Sequence, residues 1–238
     1  MFENYSYRQL SPIIEIDPAL SLVRAKGVRC KMNSGERYDL WVRSIELVNE
    51  GKMAEAEEVI KKLIEIDPED SAHWMSLGRC QLAQNRLSDA EFSARRALEL
   101  SDKDAWNWNL VGCVLKAKNA FTEAEPYFRK ALELNPKDFT SWSGLGTILF
   151  GQQRDKEAED AALKSIELNP NFFEGWLVLG MVLLRNEKVE ESEKAFRKLT
   201  EVAPRMPEAW DFLGIALKAQ GRQDDAVAAR NHARTLRA

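Results

Sequence analysis

The side chains that most often carry out chemistry in enzymes are scarce in this chain. There are two histidines, His73 and His232, and three cysteines, Cys30, Cys80 and Cys113. Neither histidine has a cysteine or carboxylate at the spacing of a nucleophile pair or a metal site, so we expect both to lie on the solvated surface. The cysteine count is odd and no two are close together, which favours reduced thiols over a disulfide framework or a zinc site.

Two further patterns are similar to fragments of catalytic motifs. Residues 144–146, Gly-Leu-Gly, resemble part of a phosphate-binding loop, but they lack a preceding predicted strand and a third glycine. The carboxylate pairs Glu157/Asp160 and Glu190/Glu193 fall on predicted outer helix faces, so we interpret them as solvated surface. We therefore predict that the protein is not an enzyme and that it holds no cofactor and no metal.

The composition is that of an ordinary globular protein. The 238 residues are 45% apolar and 30% charged, and 34 basic against 38 acidic residues give a net charge of −4. This balance creates no strong field for nucleic acid or for anionic lipid. Because the chain has no run of 18 apolar residues and its start, MFENYSYRQL, lacks the layout of a signal peptide, we expect no membrane partner and a cytoplasmic location.

The apolar residues repeat with a fixed period. Five tryptophans are separated by intervals of 34 residues, and a glycine follows each of them by four. Leucine or valine precedes each glycine, alanine or serine recurs at the same interval, and a proline closes most of the repeats. The tryptophans are Trp74, Trp108, Trp142, Trp176 and Trp210, and the glycines are Gly78, Gly112, Gly146, Gly180 and Gly214. Such a period is typical of stacked supersecondary units, each too small to bury its own apolar face.

Each repeat is predicted to contain two helices joined by a polar turn. Apolar residues at i, i+3 and i+7 form one stripe of the first helix. The second helix opens twice with a Ser/Thr-x-x-Glu pattern, at 88–91 and 122–125, which predicts two capping boxes. A glycine inside a helix costs about 1 kcal/mol relative to alanine. The recurring glycine therefore indicates a close approach of two helices.

The periodic tryptophans allow two interpretations. They are predicted to be core residues wedged between the two helices of each repeat, since a large ring at a fixed repeat position is normally buried. The alternative is an aromatic ladder on which bases stack. Trp106 lies two residues before the periodic Trp108, so we expect it to point elsewhere.

This pattern resembles the tetratricopeptide repeat (TPR) family, whose 34-residue unit carries Trp, Leu and Gly in its first helix and Ala, Phe and Pro in its second. The resemblance implies an all-α fold, a right-handed α-solenoid of stacked helix-turn-helix repeats. The family's aromatic residue three positions after the glycine is missing, and the first repeat lacks the tryptophan and the glycine. The six repeats are predicted at 37–70, 71–104, 105–138, 139–172, 173–206 and 207–238.

The first residues of the chain do not carry the repeat signature. Residues 1–36 are predicted to form an N-terminal capping segment with one helix at 18–32, which opens with an Asp-Pro start signal. Residues 13–18, Ile-Ile-Glu-Ile-Asp-Pro, nearly copy residues 64–68. A truncated repeat is therefore a second interpretation of this segment.

The resemblance also implies a binding surface, because the first helices of TPR units line the concave inner surface of the superhelix. The second, fifth, ninth and twelfth places of each repeat fall on one side of its first helix. From these places we predict a peptide-binding groove with an apolar middle, a basic end in the second and third repeats, and an acidic end in the fifth and sixth. The predicted peptide-binding residues are Met75, Arg79, Trp106, Asn109, Lys116, Ser143, Thr147, Phe150, Glu174, Leu177, Met181 and Asp211. A competing interpretation is that several of them only pack against the neighbouring first helix.

The predicted function follows from this surface. A TPR subclass that grips a C-terminal carboxylate uses lysine and asparagine at fixed places, and the pairs Met75/Arg79 and Asn109/Cys113 do not match it. We predict a non-catalytic scaffold or adaptor that binds a peptide segment of a partner protein in its groove. The alternatives are the recognition arm of a larger enzyme or complex, and a self-assembling homo-oligomeric scaffold. Nucleic-acid binding is disfavoured by the charge.

Overall fold

The computed structural model describes residues 35–237, and within them the chain forms twelve α-helices and no strand. The predicted all-α fold of stacked helix-turn-helix repeats is confirmed. The described residues divide into two compact halves, 35–120 and 121–237. The predicted capping segment lies outside the described residues, apart from Gly35 and Glu36, which begin the first helix.

In the N-terminal half, consecutive helices pack against each other, and α3 also contacts α5. Its helices are α1 (Gly35–Asn49), α2 (Met53–Ile66), α3 (Ser71–Ala83), α4 (Leu87–Leu100) and α5 (Ala105–Ala117). In the C-terminal half, consecutive helices also pack together, and α7 contacts α9. Its helices are α6 (Phe121–Leu134), α7 (Phe139–Gly151), α8 (Asp155–Leu168), α9 (Phe173–Arg185), α10 (Val189–Val202), α11 (Pro207–Ala219) and α12 (Gln223–Arg237).

The helix caps differ from those predicted. Side-chain caps are found at the first helices of the second, third and fourth repeats, where Asp70, Asp104 and Asp138 accept hydrogen bonds from backbone N–H groups two residues later. The two predicted capping boxes are wrong. Helices α4 and α6 begin at Leu87 and Phe121, so the serine and threonine of the pattern lie inside the first turn. The glutamates of the two patterns bind cations instead.

The turn between the two helices of each repeat contains one residue with left-handed backbone. The φ angle is +75° at Gly51 and +78° at Gly221. Four non-glycine residues take the same conformation at the equivalent position, namely Asn85, Asn119, Gln153 and Glu187. Left-handed backbone costs an L-residue about 1–2 kcal/mol, so the packing of the two helices must stabilise these turns.

The periodic glycines lie where helices come close, as the sequence indicates. A Cβ added at Gly180 would stand 2.4 Å from the ring of Phe196, which is fully buried on the second helix of the same repeat. At Gly146 the nearest atom would be a methyl of Val178 at 3.3 Å. The clearance is larger there because Ala162 takes the place that Phe196 has in the next repeat.

The periodic tryptophans are only half-buried, so their prediction as core residues is wrong in part. Each indole N–H donates to the backbone carbonyl six residues earlier, at Pro68, Asp102, Pro136, Pro170 and Pro204, over 2.7–3.0 Å. An indole must place its N–H at an acceptor when its ring is packed. The recurring tryptophan and the residue that closes the preceding repeat are therefore linked. Each indole joins the turn between two repeats to the helix that follows that turn.

Replacing Trp142 by phenylalanine tests this hydrogen bond. The ring remains, but the 2.9 Å bond to the Pro136 carbonyl is lost, so we expect the free energy of unfolding to fall by about 1 kcal/mol in urea titrations. The control is Trp106→Phe, because no hydrogen bond joins the Trp106 indole to any residue within 35–237. Equal losses for the two variants would show that the Trp142 bond contributes nothing.

A ladder of ion pairs joins consecutive repeats. Carboxylates recur every 34 residues on the second helices, and each accepts from a cation at or near the turn of the next repeat. The pairs are Glu57–Arg86, Glu91–Lys118, Glu125–Arg154, Glu159–Lys188 and Glu193–Arg222. In the third repeat Ala120 stands at the usual cation position, and Lys118 supplies the charge from two residues earlier.

Glu57 should make the free energy of unfolding depend on pH in the acidic range. Its side chain is buried, and the hydrogen bond from Arg86, joined by bonds from Lys61 and Gln84, lowers the pKa of its carboxyl from 4.5 to about 2. Because the folded pKa lies below the unfolded value, this stabilisation is present above about pH 4.5 and is lost as the pH falls toward 2. We expect the free energy of unfolding to fall by about 1–3 kcal/mol more in the natural protein than in Glu57→Gln over this window.

The matched control is Glu58→Gln, because the neighbouring Glu58 side chain is 70% exposed. Denaturant titrations between pH 2 and pH 7 should give a curve for Glu58→Gln that runs parallel to that of the natural protein. If the curve for Glu57→Gln also ran parallel to that of the natural protein, the lowered pKa of Glu57 would not be the cause of the acid dependence.

Candidate peptide-binding face

The structure divides the predicted peptide-binding residues into two groups. Half-exposed residues are Met75, Arg79, Trp106, Lys116, Glu174 and Asp211. Buried residues are Asn109, Ser143, Thr147, Phe150, Leu177 and Met181. The buried residues lie mostly in the C-terminal half, so the apolar part of the predicted groove is not open there.

The expected exposure of Phe150, Leu177 and Met181 is wrong, since the three residues are only 5%, 5% and 4% exposed. Helix α9 contacts α7, α8 and α10, so the side of α9 that carries Leu177 and Met181 is enclosed by its neighbours. The Arg185 guanidinium lies 3.7 Å from the centroid of the Phe150 ring and also pairs with Asp155. These three side chains therefore belong to the hydrophobic core. The competing interpretation expected this for several of the predicted peptide-binding residues.

The polar residues of the C-terminal half are engaged within the protein. The hydroxyl of Ser143 lies 3.5 Å from a carboxylate oxygen of Glu174, and Thr147 donates to the Ser143 carbonyl over 3.0 Å. At the predicted acidic end, Arg237 binds Asp211 over 2.5 Å and Glu208 over 3.3 Å. A basic ligand side chain would have to compete with Arg237 at this end.

The N-terminal half exposes more apolar surface than the C-terminal half. This surface begins on α1, a helix that contributes no residue to the predicted peptide-binding set. Helix α1 carries Tyr38, Trp41, Ile45 and Val48 at the second, fifth, ninth and twelfth places of the first repeat. Tyr38 is 48% exposed, the other three are half-buried, and the rings of Tyr38 and Trp41 lie 6.0 Å apart. The first repeat lacks the tryptophan and glycine signature, but the same four places would have identified these residues.

A pocket lies between α1 and α3. Ile45 and Val48 of α1, with Met53 of α2, face Met75 and Arg79 of α3 across it. Arg79 makes no hydrogen bond or ion pair with any residue between 35 and 237. The pocket therefore places a guanidinium that has no partner within residues 35–237 at the edge of an apolar surface.

We call this surface the N-terminal face. It consists of Tyr38, Trp41, Ile45, Val48, Met75, Arg79, Trp106 and Lys116. Helix α3 shares the pocket with α1 and contacts α5, so the three first helices that carry these residues are neighbours. The face combines aromatic rings, an adaptable methionine and two cations, which suits an apolar peptide with acidic residues.

The histidines are not both on the surface. His73 is buried, and its Nδ1 lies 3.5 Å from the backbone oxygen of Asp67. The predicted solvated position is wrong for His73 because Asp67 and Asp70 supply polar partners inside the packed repeat. His232 is exposed, and its ring centroid lies 4.2 Å from that of Trp210.

The cysteine chemistry is also limited. Burial raises the pKa of the Cys80 thiol to about 11, so this thiol stays protonated at neutral pH. Cys113 is half-buried and lies 3.5 Å from the side-chain oxygen of Asn109. Within the part of the chain that the structure describes, no three histidine, cysteine or carboxylate side chains are grouped so that they could hold a metal ion. No helix in that part is long and apolar enough to cross a membrane.

The helix pairs and the face on their first helices define a helical-repeat protein of the protein-interaction class. A family profile described as the cilia and flagella-associated protein 70 middle TPR-like domain matches residues 116–237. A tetratricopeptide repeat profile matches residues 47–112. The chain belongs to the tetratricopeptide repeat family.

Similar solved structures support the same fold. YrrB, described as a TPR protein with an unusual peptide-binding site, is 26% identical over 76% of this chain and 93% of its own, with a TM-score of 0.55. PilW, a type IV pilus biogenesis factor, is 18% identical over 83% of this chain and 91% of its own, with a TM-score of 0.73. A tetratricopeptide repeat protein from Parabacteroides merdae is 21% identical over 82% of this chain and 78% of its own, with a TM-score of 0.63. No curated protein matches the sequence.

Proposed function

We propose that this chain is a non-catalytic adaptor that binds a peptide segment of a partner protein on the N-terminal face. The observation that carries the proposal is the row of half-exposed apolar side chains at equivalent places of α1, α3 and α5. Clustered apolar surface of this kind, next to charged groups, is typical of protein interaction sites. The peptide-binding site named for YrrB supports the same class of function.

The ligand is an apolar peptide with an acidic residue. Apolar anchors against Trp41, Met75 and Trp106 supply most of the affinity, and carboxylates toward Arg79 and Lys116 set the direction and the association rate. Among the other residues of the predicted site, Asn109 and the buried residues of the C-terminal half contribute by supporting the helices.

Affinity capture from native lysate, with cross-linking, tests the function. The double variant Met75→Asp with Trp106→Ala should reduce partner recovery at least tenfold, because it removes two apolar anchors of the face. The control is Leu163→Asp with Val227→Asp, at two exposed apolar residues of the C-terminal half. Both variants should retain the helical circular dichroism of the natural protein. Undiminished recovery with the first variant would overturn the proposal.

Two other functions would give different results. A self-assembling scaffold would show a mass that rises with concentration in light scattering, and the rise would disappear in the Met75/Trp106 variant. A recognition arm of a larger enzyme would appear as a reading frame that continues beyond these 238 residues into a catalytic domain.

A further inference from the structure

The N-terminal face specifies the chemistry of what binds it. Tyr38, Trp41 and Met75 offer apolar contacts, and Arg79 offers a guanidinium that pairs with no carboxylate between residues 35 and 237. A suitable occupant therefore has apolar side chains close to a carboxylate, because a charge-assisted bond from arginine is stronger than a neutral one.

A segment of this same chain has this chemistry. Residues 13–17 read Ile-Ile-Glu-Ile-Asp, so three branched apolar side chains and two carboxylates fall within five residues. The segment therefore carries both kinds of group that the N-terminal face would bind.

The segment can reach the face. Seventeen residues, 18–34, separate Asp17 from Gly35, where α1 begins. A chain of that length spans at most about 60 Å when fully extended, and the helix predicted at 18–32 would alone span about 22 Å. Ile45, at the pocket, lies ten residues along α1 from Gly35, a distance of about 15 Å.

We propose that residues 13–17 bind the N-terminal face of their own chain, with Ile14 and Ile16 against the pocket and a carboxylate at Arg79. This inference rests on the proposed function, because the partner peptide and the segment use one face. A tethered segment acts at an effective concentration in the millimolar range. The segment therefore competes with the partner peptide even if its intrinsic affinity is modest, and it lowers the apparent affinity for that partner.

Binding of a labelled peptide with the sequence of residues 11–19, followed by fluorescence anisotropy on the full chain, tests the proposal. In the natural protein the tethered copy occupies the face, so the added peptide binds weakly. In Ile14→Asp with Ile16→Asp the face is vacated, and the dissociation constant of the added peptide should fall at least tenfold. An unchanged constant would overturn the proposal.

A matched control lies a few residues further along. Leu20→Asp with Leu22→Asp makes the same chemical change outside the segment, within the helix predicted at 18–32. It should leave peptide binding as weak as in the natural protein. A gain equal to that of the Ile14/Ile16 variant would assign the occupancy to that helix instead and overturn the proposal.

Two further measurements locate the bound segment. Adding Met75→Asp to the Ile14/Ile16 variant should abolish binding of the labelled peptide. Persistent binding would place the bound segment away from the pocket and would contradict the proposal. Light scattering should show the same mass for the natural protein and the Ile14/Ile16 variant. A dimer lost in the variant would assign the segment to a second copy and overturn binding within one chain.

The two proposals fail in different ways. Partner recovery from lysate should rise in the Ile14/Ile16 variant and fall in the Met75/Trp106 variant. If only the fall is observed, the adaptor function stands and the internal competitor is excluded.

Discussion

Replacing Leu177 and Met181 together by aspartate is expected to unfold most of the C-terminal half. Both side chains are buried on α9, which contacts three other helices. Each change removes a large apolar group, which alone costs about 2–5 kcal/mol, and adds a charge with no buried partner. A typical domain is stable by only about 5–15 kcal/mol, so the combined loss removes most or all of that free energy. Circular dichroism should show a large loss of helix at 25 °C.

The control for this variant is Leu163→Asp in the same half. Leu163 is 47% exposed, so its replacement should change the free energy of unfolding by about 0.5 kcal/mol or less. A Leu177/Met181 variant that kept the natural urea midpoint would show that these side chains face solvent, as the sequence predicts, and would restore them to the binding surface.

Gly180→Ala is expected to be the most damaging single-methyl addition among the periodic glycines of the C-terminal half. The new Cβ would stand 2.4 Å from the Phe196 ring, and Phe196 is itself stacked on Phe212 with centroids 5.3 Å apart. Because this ring cannot move without disturbing its neighbour, we expect a loss of about 2–3 kcal/mol from overpacking. The gain in helix propensity, about 1 kcal/mol, is too small to offset it.

Gly146→Ala provides the matched comparison. Its Cβ would meet Val178 at 3.3 Å and the Ala158 carbonyl at 3.4 Å, so a small shift accommodates it and the propensity gain leaves the net change near zero. In thermal melts, Gly180→Ala should lower the midpoint clearly more than Gly146→Ala. In a Phe196→Leu background the penalty of Gly180→Ala should shrink, and a penalty of unchanged size would exclude Phe196 as its cause.

The fold was predictable because its main signal is repeated. Each 34-residue interval repeats one pattern of apolar residues, and a periodic glycine points to close packing whichever repeat it is in. The tryptophans were predicted less well, because their half-burial depends on the indole N–H reaching a turn carbonyl at the edge of the helix pair. The capping pattern at 122–125 was misleading because its glutamate, Glu125, binds Arg154 of the next repeat.

The candidate site was less predictable than the fold. A place on a helix gives the direction of a side chain, but the neighbouring helices decide whether that direction is open. Met75 and Leu177 occupy the same place in the second and fifth repeats, yet Met75 is half-exposed and Leu177 is buried. The open face begins on α1, whose repeat lacks the signature residues. A search guided by tryptophan and glycine therefore passes over Tyr38 and Trp41.

The ion-pair ladder has a consequence for how such an array changes its length during evolution. Each carboxylate meets a lysine or an arginine from the repeat that follows, and the pairing does not depend on which repeat that is. If the 34 residues from 139 to 172 were deleted, Glu125 would face Lys188 in place of Arg154. Duplication or loss of one whole repeat therefore leaves no half-buried carboxylate without a counter-charge at the new junction. Gene segments of this length can be gained or lost while every junction remains electrostatically matched.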